Sequence, residues 1–340
     1  MLNTISGMLG GFVAPLVEYL GVGHQGSPYA TVYPWSAATG FGTKYTNPAS
    51  LPAGQGYGIA FNPAGTNILS VNGNSPFVAA YPWSSSGFGT RYADPATPLN
   101  QADQGNFNQD GSAIAVGGPF SPYIYAYAFS SGFGSKYANP ATLATSAGTA
   151  AVWNPAGNAI ALGNASSPYI NAWAWSAGFG TRYSNPATTP TGYANNVNWH
   201  PAGTAVGAAH TNTPFITTYP WSSGFGTKYA NPATLPAAGS DAGGIAWNPA
   251  GTSVALAHAT SPYVSAWAWS AGFGTKYADP ATTPTGTGNG IGFSDSGTSI
   301  AIAHTTSPVV TAYPFSAGFG TKYANPATIP GSPGYAISFA

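Results

Sequence analysis

The sequence predicts an all-β protein, a seven-bladed β-propeller of four-stranded antiparallel blades, and two observations predict it. A six-residue phrase, Gly-Phe-Gly-[Thr/Ser]-[Lys/Arg]-Tyr, occurs seven times at intervals of 45 to 48 residues. A period of this length is typical of propellers and solenoids. The apolar residues between the phrases alternate with a period of two, which is typical of strands, and they follow no helical period. One structural unit is therefore used seven times.

Each unit contains four short strands separated by turns. In the unit spanning 243–285, the predicted strands are 244–249, 253–258, 263–269 and the more polar 275–284. Gly, Pro, Ser and Thr fill the intervals between them, as tight turns require. Such a unit repeated seven times is a propeller blade. We expect the small residues of the strands to let neighbouring blades pack face to face, while aromatic side chains fill the wider outer gaps.

Prolines within the third strand are the one irregularity in this pattern. Because proline removes a ladder donor, we expect a bulge or an early end to the strand in four blades. The residues concerned are Pro34, Pro82, Pro220 and Pro314.

The two ends of the sequence predict how the ring closes. Residues 336–340 match the first strand of the unit, whereas 19–24, 29–35 and 43–52 match its second, third and fourth strands. The ends therefore share one blade, with three strands from the N-terminal side and one from the C-terminal side. Six complete units and this split unit place a seven-bladed propeller at residues 18–340.

The turn after the first strand resembles that of known propellers. The motif [Phe/Trp]-Asn-Pro-Ala-Gly at 61–65, 153–157 and 247–251 resembles the inner-strand turn of tryptophan–aspartate repeat and YVTN-type propellers. The whole repeat is also similar to uncharacterised propeller-repeat proteins of tailed bacteriophages and environmental bacteria. The first resemblance covers residues 18–340 and implies the propeller fold. The second implies a context in a virion or in environmental bacteria.

Charge is scarce and evenly spread. Charged residues form 4% of the chain, its net charge is zero and it has no cysteine. Seven cations at one per repeat form no basic patch, so we expect no nucleic-acid partner. No apolar run reaches the roughly 18 residues of a spanning helix, so we expect no transmembrane segment.

Every lysine and arginine occupies the same position of the repeated phrase, in its fourth strand. A cation on an exposed edge strand blocks edge-to-edge pairing. Alternatively, the seven cations contact an anionic neighbouring protein. An Asn or Asp precedes Pro three residues after each cation, and we expect it to initiate a local turn. The cation ring comprises Lys44, Arg91, Lys136, Arg182, Lys228, Lys276 and Lys322.

Four of the five histidines share one position at the end of the second strand. They are His24, His210, His258 and His304, and the other blades carry Asn72, Gly118 and Asn164 there. Histidine is a common metal ligand, but equivalent positions on adjacent blades lie too far apart for one ion. We expect these histidines to bond loop backbone, His200 to have a structural role at its turn, and the protein to hold no metal or cofactor.

The carboxylates show no pair spaced for acid–base catalysis. They are Glu18, Asp94, Asp103, Asp110, Asp241, Asp279 and Asp295. Asp110 and Asp295 fit turns, whereas Asp103 and Asp241 precede first strands of different blades and could face the channel mouth without touching. A lactonase-type propeller would need acidic and amide metal ligands that converge on the axis, and the repeats supply too few acids. Nucleophile elbows and phosphate loops are absent from the sequence. We therefore predict that the chain is not an enzyme.

Residues 1–17 precede the propeller and are uncharged and rich in glycine. Their larger apolar residues follow a three–four spacing that suits a helix face. We expect this extension either to dock on its own propeller or to anchor the protein in a neighbouring subunit. The candidate anchor residues are Leu2, Ile5, Leu9 and Phe12.

The surface composition leads to the functional prediction. Soluble surfaces usually hold about 25–35% charged residues, and this one must be largely Ser, Thr, Asn, Gly, Ala and aromatic. We therefore predict a non-catalytic structural or adhesive propeller that contacts other protein subunits, in a virion (a head decoration or tail accessory protein) or on an extracellular surface. The alternative is a glycan-binding lectin, which would expose aromatic residues at blade junctions. We expect burial instead, with Trp267 and Trp269 on one face of a strand between blades.

Overall fold

The structure, a computed structural model, describes residues 18–237 and 242–340. Within these ranges the chain forms strands joined by turns, and no helix there is long and apolar enough to cross a membrane. The extension at 1–17 and Asp241 lie outside the described residues. The strands form seven antiparallel sheets arranged as propeller blades, which confirms the predicted fold class.

The strands are numbered in chain order. The first three belong to blade 7: β1 (Glu18–His24), β2 (Ala30–Ser36) and β3 (Gly40–Phe41). Blade 1 holds β4 (Gly56–Phe61), β5 (Asn67–Asn72), β6 (Val78–Ser84) and β7 (Gly87–Phe88). Blade 2 holds β8 (Gly105–Phe107), β9 (Ala113–Gly117), β10 (Ile124–Phe129) and β11 (Phe133–Lys136). Blade 3 holds β12 (Gly148–Trp153), β13 (Ala159–Asn164), β14 (Ile170–Trp175) and β15 (Phe179–Arg182).

The second half of the ring repeats this order. Blade 4 holds β16 (Ala194–Trp199), β17 (Ala205–His210) and β18 (Ile216–Pro220). Blade 5 holds β19 (Ala242–Trp247), β20 (Ser253–His258), β21 (Val264–Trp269) and β22 (Phe273–Lys276). Blade 6 holds β23 (Gly288–Phe293), β24 (Ser299–His304) and β25 (Val310–Pro314), and β26 (Gly334–Phe339) completes blade 7.

Blade 7 closes the ring as predicted. Strand β26 pairs antiparallel with β1, and Val22 lies opposite Ile337 in that ladder. The Tyr19 amide donates to the Ala340 carbonyl at 2.6 Å. The blade therefore has three N-terminal strands and one C-terminal strand, in the order β26-β1-β2-β3.

The third-strand prolines determine how far the fourth strand extends. Blades 2, 3 and 5 have Ala at the equivalent position, and their fourth strands are four residues long. The fourth strand shrinks to two residues in blades 1 and 7 and to a single bridge in blades 4 and 6. Proline has no N–H to extend the ladder, which explains the difference. The third strand ends at Pro220 and Pro314 as expected, but it runs two residues past Pro34 and Pro82.

The core is divided among the gaps between blades, and the described residues form one apolar cluster in each of the seven gaps. In the gap between blades 2 and 3, small Ala113 and Ala115 face Ile160 and Leu162 of the next blade. The second strands of blades 3, 5 and 6 alternate in the same way, with small side chains on one face and large ones on the other, whereas β5 of blade 1 carries large side chains on both faces. This arrangement confirms the predicted face-to-face packing of blades.

Aromatic side chains complete each gap. Trp153 and Trp175 pack edge to face with ring centroids 4.5 Å apart, and Tyr137 of the preceding blade contacts the same Trp175 ring at 4.9 Å. Such edge-to-face pairs are favourable beyond the apolar area that they bury. Trp267 and Trp269 are buried at 0% and 5% exposure, so these two rings are core residues.

The turn after each first strand is held by a side chain. The Asn248 Oδ1 atom accepts hydrogen bonds from the amides of Thr252 and Ser253, both at 2.8 Å. Gly251 in the same turn has a φ of 69°, which favours glycine. The motif that resembles known propellers therefore has a local physical cause: it fixes the hairpin that joins the first and second strands.

Candidate active site

A β-bulge near the start of the first strand shapes one mouth of the central channel. In blade 1, Gly56 lies opposite Asn72 and Gly58 lies opposite Val71, so Tyr57 stands outside the ladder. The same register shift occurs in β16, β19, β23 and β26. A bulge turns the extra residue away from regular pairing and re-aims its side chain.

The residue at this position lines the mouth in every blade. We call these seven residues the mouth ring: Tyr57, Asp103, Thr149, Asn195, Gly243, Asn289 and Tyr335. Together with Tyr193 and parts of the adjoining turns they surround a cavity of about 380 Å³. Polar and aromatic side chains thus converge here from different blades.

Two amides of the mouth ring are fixed against the next blade. Asn195 donates from Nδ2 to the Ala242 carbonyl at 2.8 Å, and Asn289 donates from Nδ2 to the Gly334 carbonyl at 2.8 Å. Each bond joins two neighbouring first strands. The amides are therefore held in place before any ligand arrives, which is the property required of a binding site.

Asp103 is the titratable acid of the mouth ring. It is half-buried, and this burial raises the pKa of its carboxyl to about 6. Its backbone amide donates to the Gly117 carbonyl at 2.9 Å, which fixes the chain at this point. A carboxyl in a cleft with a pKa moved toward neutrality is a candidate for acid–base catalysis.

Tyrosines complete the mouth. Burial and the charge of Asp103 raise the pKa of Tyr193, so its hydroxyl stays protonated at neutral pH and can donate a hydrogen bond. Burial and the neighbouring Tyr57 likewise raise the pKa of Tyr335. The rings of Tyr57 and Tyr335 lie 5.4 Å apart between centroids and form an aromatic wall on one side of the cavity.

The residue that follows each mouth-ring residue lies deeper in the channel, and at this level the side-chain amides of two blades meet. The waist ring consists of the residues that follow the mouth ring: Gly58, Gln104, Ala150, Asn196, Gly244, Gly290 and Ala336. The Asn196 Nδ2 atom donates to Gln104 Oε1 at 2.7 Å, although these residues belong to blades 4 and 2. A cavity of about 130 Å³ lies at this level, and a third of about 290 Å³ opens at the opposite end.

The cation ring lies on the fourth segments, away from the mouth, and its cations do not meet. Each cation bonds the Asn or Asp three residues later, and Arg91–Asp94 and Lys276–Asp279 are ion pairs. The Asx residue before proline is therefore the cation's partner, a role that the turn prediction did not include. The side chains of Arg91 and Lys276 are only 17% and 14% exposed. Edge protection and partner docking both remain predictions for this ring.

The four equivalent histidines are buried and neutral. Burial lowers the pKa of each to about 4. Each Nε2 atom pairs with a hydroxyl seven residues later on the third strand, as in the 2.9 Å contact between His24 and Thr31. The main partner is thus a side chain, although a loop backbone group such as that of Gly26 also acts on the ring. The described residues contain no group of three or more His, Asp or Glu that could hold a metal.

In blade 4, His200 stands where other blades have the asparagine that accepts hydrogen bonds from backbone amides in the turn between the first and second strands. Its Nδ1 atom accepts from the Ala202 amide at 3.2 Å, so Nε2 carries the proton and donates to the Gly251 carbonyl at 3.0 Å. This bond reaches the neighbouring blade. The sequence correctly placed His200 at a turn but did not show this link.

The remaining carboxylates lie outside the mouth. Asp110 accepts from the Ser112 amide in a turn at 2.9 Å, and Glu18 accepts from the Ser296 amide at 3.0 Å. Among the described carboxylates Asp103 alone lines the mouth, which confirms the expectation that it faces the channel. The signal that sequence reasoning missed lies five positions before the residue that directly follows each first strand. That following residue is asparagine in four of the blades, and the position five residues earlier supplies the mouth-ring residue in every blade.

The solved structures most similar in shape include named enzymes. A candidate 6-phosphogluconolactonase from Bacteroides fragilis shares 11% identity, with a TM-score of 0.78 over 96% of this chain and 99% of that one. A second, from Bacteroides uniformis, shares 15% identity, with a TM-score of 0.71 over 95% and 99%. The periplasmic gluconolactonase of Pseudomonas aeruginosa shares 12% identity, with a TM-score of 0.71 over the same shares.

At these identities the likeness shows the fold, a seven-bladed propeller. No protein-family model matches the chain, and no curated protein matches it. The comparisons therefore give no support to the resemblance to tryptophan–aspartate repeat, YVTN-type or bacteriophage propellers.

The prediction of a non-catalytic structural or adhesive propeller was wrong, both for the virion or surface protein and for the alternative glycan-binding lectin. Two of the neighbours named above are candidate lactonases and the third is named as a gluconolactonase, so these three propellers are named as enzymes of the lactonase class. The physical reason for the error lies at the mouth. Acids that lie close together in the sequence are too few for catalysis, whereas the closed ring brings one carboxylate and several amides from separate blades to a single cavity.

Proposed function

We propose that this propeller is a hydrolase of small cyclic esters (lactones) that acts at the mouth ring, with Asp103 as its general base. One observation carries the proposal: a half-buried carboxyl with a pKa of about 6 lines a polar cavity of about 380 Å³ on the propeller axis. The names of the similar propellers support the lactone class.

In the proposed reaction, Asp103 acts first as a general base and then, in its protonated form, as a general acid. Asp103 removes a proton from a water molecule as the water oxygen attacks the lactone carbonyl carbon. The ring C–O bond then breaks, and the leaving alkoxide oxygen takes the proton back from Asp103 to give a hydroxy acid. A carboxyl with a pKa near 6 is still ionised at neutral pH, yet it is a stronger base than an ordinary aspartate.

Other mouth residues fit supporting roles. The Tyr193 hydroxyl, which is protonated at neutral pH, can donate to the oxygen that becomes negative during attack. The fixed amides of Asn195 and Asn289 can bond substrate hydroxyl groups. The rings of Tyr57 and Tyr335 offer an apolar wall for the carbon skeleton.

The charge of the site favours an uncharged lactone over a phosphorylated one. The cations lie on the fourth segments and are bonded to their Asn or Asp partners. The mouth contains the Asp103 carboxylate, which repels a phosphate group. We therefore expect glucono-lactone to be a better substrate than its 6-phosphate.

The experiment compares the wild type with Asp103→Asn on both lactones, with rates corrected for spontaneous hydrolysis. General-base catalysis is worth about 10²–10⁴-fold, so we expect kcat to fall at least about 100-fold in the variant. In the wild type, kcat/KM should rise through an apparent pKa of about 6 and then level off. Asp110→Asn, in an outer turn, is the matched control and should keep wild-type rates. Equal rates for the two variants would refute the role of Asp103.

A further inference from the structure

The waist ring contains a pair of side chains that the repeat does not require. Five blades place Gly or Ala at this position, whereas blades 2 and 4 place Gln104 and Asn196 there. Their side chains meet at 2.7 Å between Oε1 and Nδ2. Small residues suffice at this position in the other five blades, so the repeat itself does not require these two amides. We call the pair the crossbar.

Both halves of the crossbar are anchored to the blades beside them. The backbone N–H of Gln104 donates to the backbone carbonyl of Thr149 in blade 3 at 3.0 Å. The backbone carbonyl of Gln104 accepts from the backbone N–H of Gly117 in its own blade at 2.9 Å. On the other side, Asn196 Oδ1 accepts from the Ile245 amide at 3.4 Å. The crossbar therefore connects blades 2, 3, 4 and 5 across one side of the channel.

The crossbar lies directly beneath the mouth ring. Consecutive residues of a strand are separated by about 3.3 Å, so a ligand group held by Asp103 has roughly this depth below it before it meets the two amides. Both amides line the cavity of about 130 Å³ at the waist, and the cavity of about 290 Å³ lies beyond it.

We propose that the Gln104–Asn196 crossbar is the floor of the mouth site and determines how long a ligand the site accepts. The nature of the ligand rests on the proposed lactone hydrolysis, but the position of the floor does not. Removing both side chains makes the waist ring small in all seven blades and joins the mouth to the deeper cavities.

The first test uses lactones that differ only in the length of a hydroxylated tail. Misfit by a single methylene changes kcat/KM by about 10–200-fold. We therefore expect the Gln104→Ala/Asn196→Ala variant to raise the long-to-short ratio of kcat/KM at least about tenfold. Asn106→Ala enlarges the cavity below the floor without opening it, and this control should keep the wild-type ratio. An unchanged ratio in an active double variant would overturn the proposal.

The second test does not depend on hydrolysis. Crystals of the wild type and the double variant are soaked in a short polyethylene glycol, a thin chain that can enter a polar channel. We expect its density to stop at the crossbar in the wild type and to cross the waist in the variant. Density that crosses the wild-type waist, or that stops at the same depth in the variant, would overturn the proposal.

These tests separate the two proposals. If neither protein hydrolyses any lactone, the proposed function fails, and the soak alone decides whether the crossbar is a floor. If the double variant does not fold, Gln104→Ala alone serves in both tests, because it removes the longer of the two side chains.

Discussion

Asp103→Asn should make the protein more stable at neutral pH while it lowers kcat. The reason is the direction of the pKa shift. Burial raises the pKa of Asp103 from its usual 3.8 to about 6, so the folded protein binds this proton more tightly than the unfolded chain does. Stability is therefore lost as pH rises from about 4 to about 6, and it stays low above that range. A neutral asparagine avoids this loss.

The magnitude follows from the size of the shift. A shift from 3.8 to about 6, at 1.36 kcal/mol per pKa unit, corresponds to at most about 3 kcal/mol. The mouth is open to solvent on one side, and water screens part of the carboxylate charge. We therefore expect Asp103→Asn to increase the free energy of unfolding by about 1–2 kcal/mol at pH 8 and to change it little at pH 3.5.

Denaturant unfolding of the wild type and the variant at the two pH values measures this difference. Asp110→Asn is the control, because hydrogen bonds from Ser112 lower the pKa of Asp110 and give the opposite sign. That substitution should cost stability at pH 8. The reasoning is refuted if Asp103→Asn destabilises the protein at pH 8, or if its effect is the same at both pH values.

Two further predictions concern the outer parts of the blades. His258→Asn should reduce acid sensitivity: burial lowers the pKa of His258 from 6.5 to about 4, so each such histidine costs up to about 3 kcal/mol as pH falls through this range. Urea unfolding at pH 7 and pH 4 measures the effect, and equal acid sensitivity in the variant would contradict it. Replacing several cations of the cation ring by Thr, including Lys228, should leave the fold intact and increase self-association in light scattering. A variant that stays monomeric would argue against edge protection.

The sequence predicted the fold well because the information is repeated seven times. The turn asparagines, the alternation of small and large apolar residues and the matching chain ends each recur with the period. The extent of the fourth strand was less predictable. The missing amide of proline shortens the fourth strand in all four blades, but a two-residue strand follows Pro34 and a single bridge follows Pro314.

The site was not predicted because it lies where the repeats differ. Asp103, Asn195 and Asn289 are 92 and 94 residues apart along the chain, and no spacing rule connects them. What joins them is their equivalent position in separate blades, which the closure of the ring brings around one cavity. The partners of the histidines were missed for a related reason, since Thr31 faces His24 only after the hairpin between their strands has formed.

The bulge has a consequence for how readily this protein can change its ligand. Mouth-ring residues are absent from the apolar clusters between blades, so the apolar packing does not depend on their identity. Thr149, Asn195 and Asn289 nevertheless bond carbonyl groups of the next blade. The same position holds a bulky tyrosine at 57 and a compact threonine at 149. Gly243 is the exception, because a Cβ atom there would lie 2.6 Å from the Asn289 carbonyl oxygen. A position such as Tyr57 can therefore change without altering the apolar packing between blades, and new specificities can be selected there at little cost to folding.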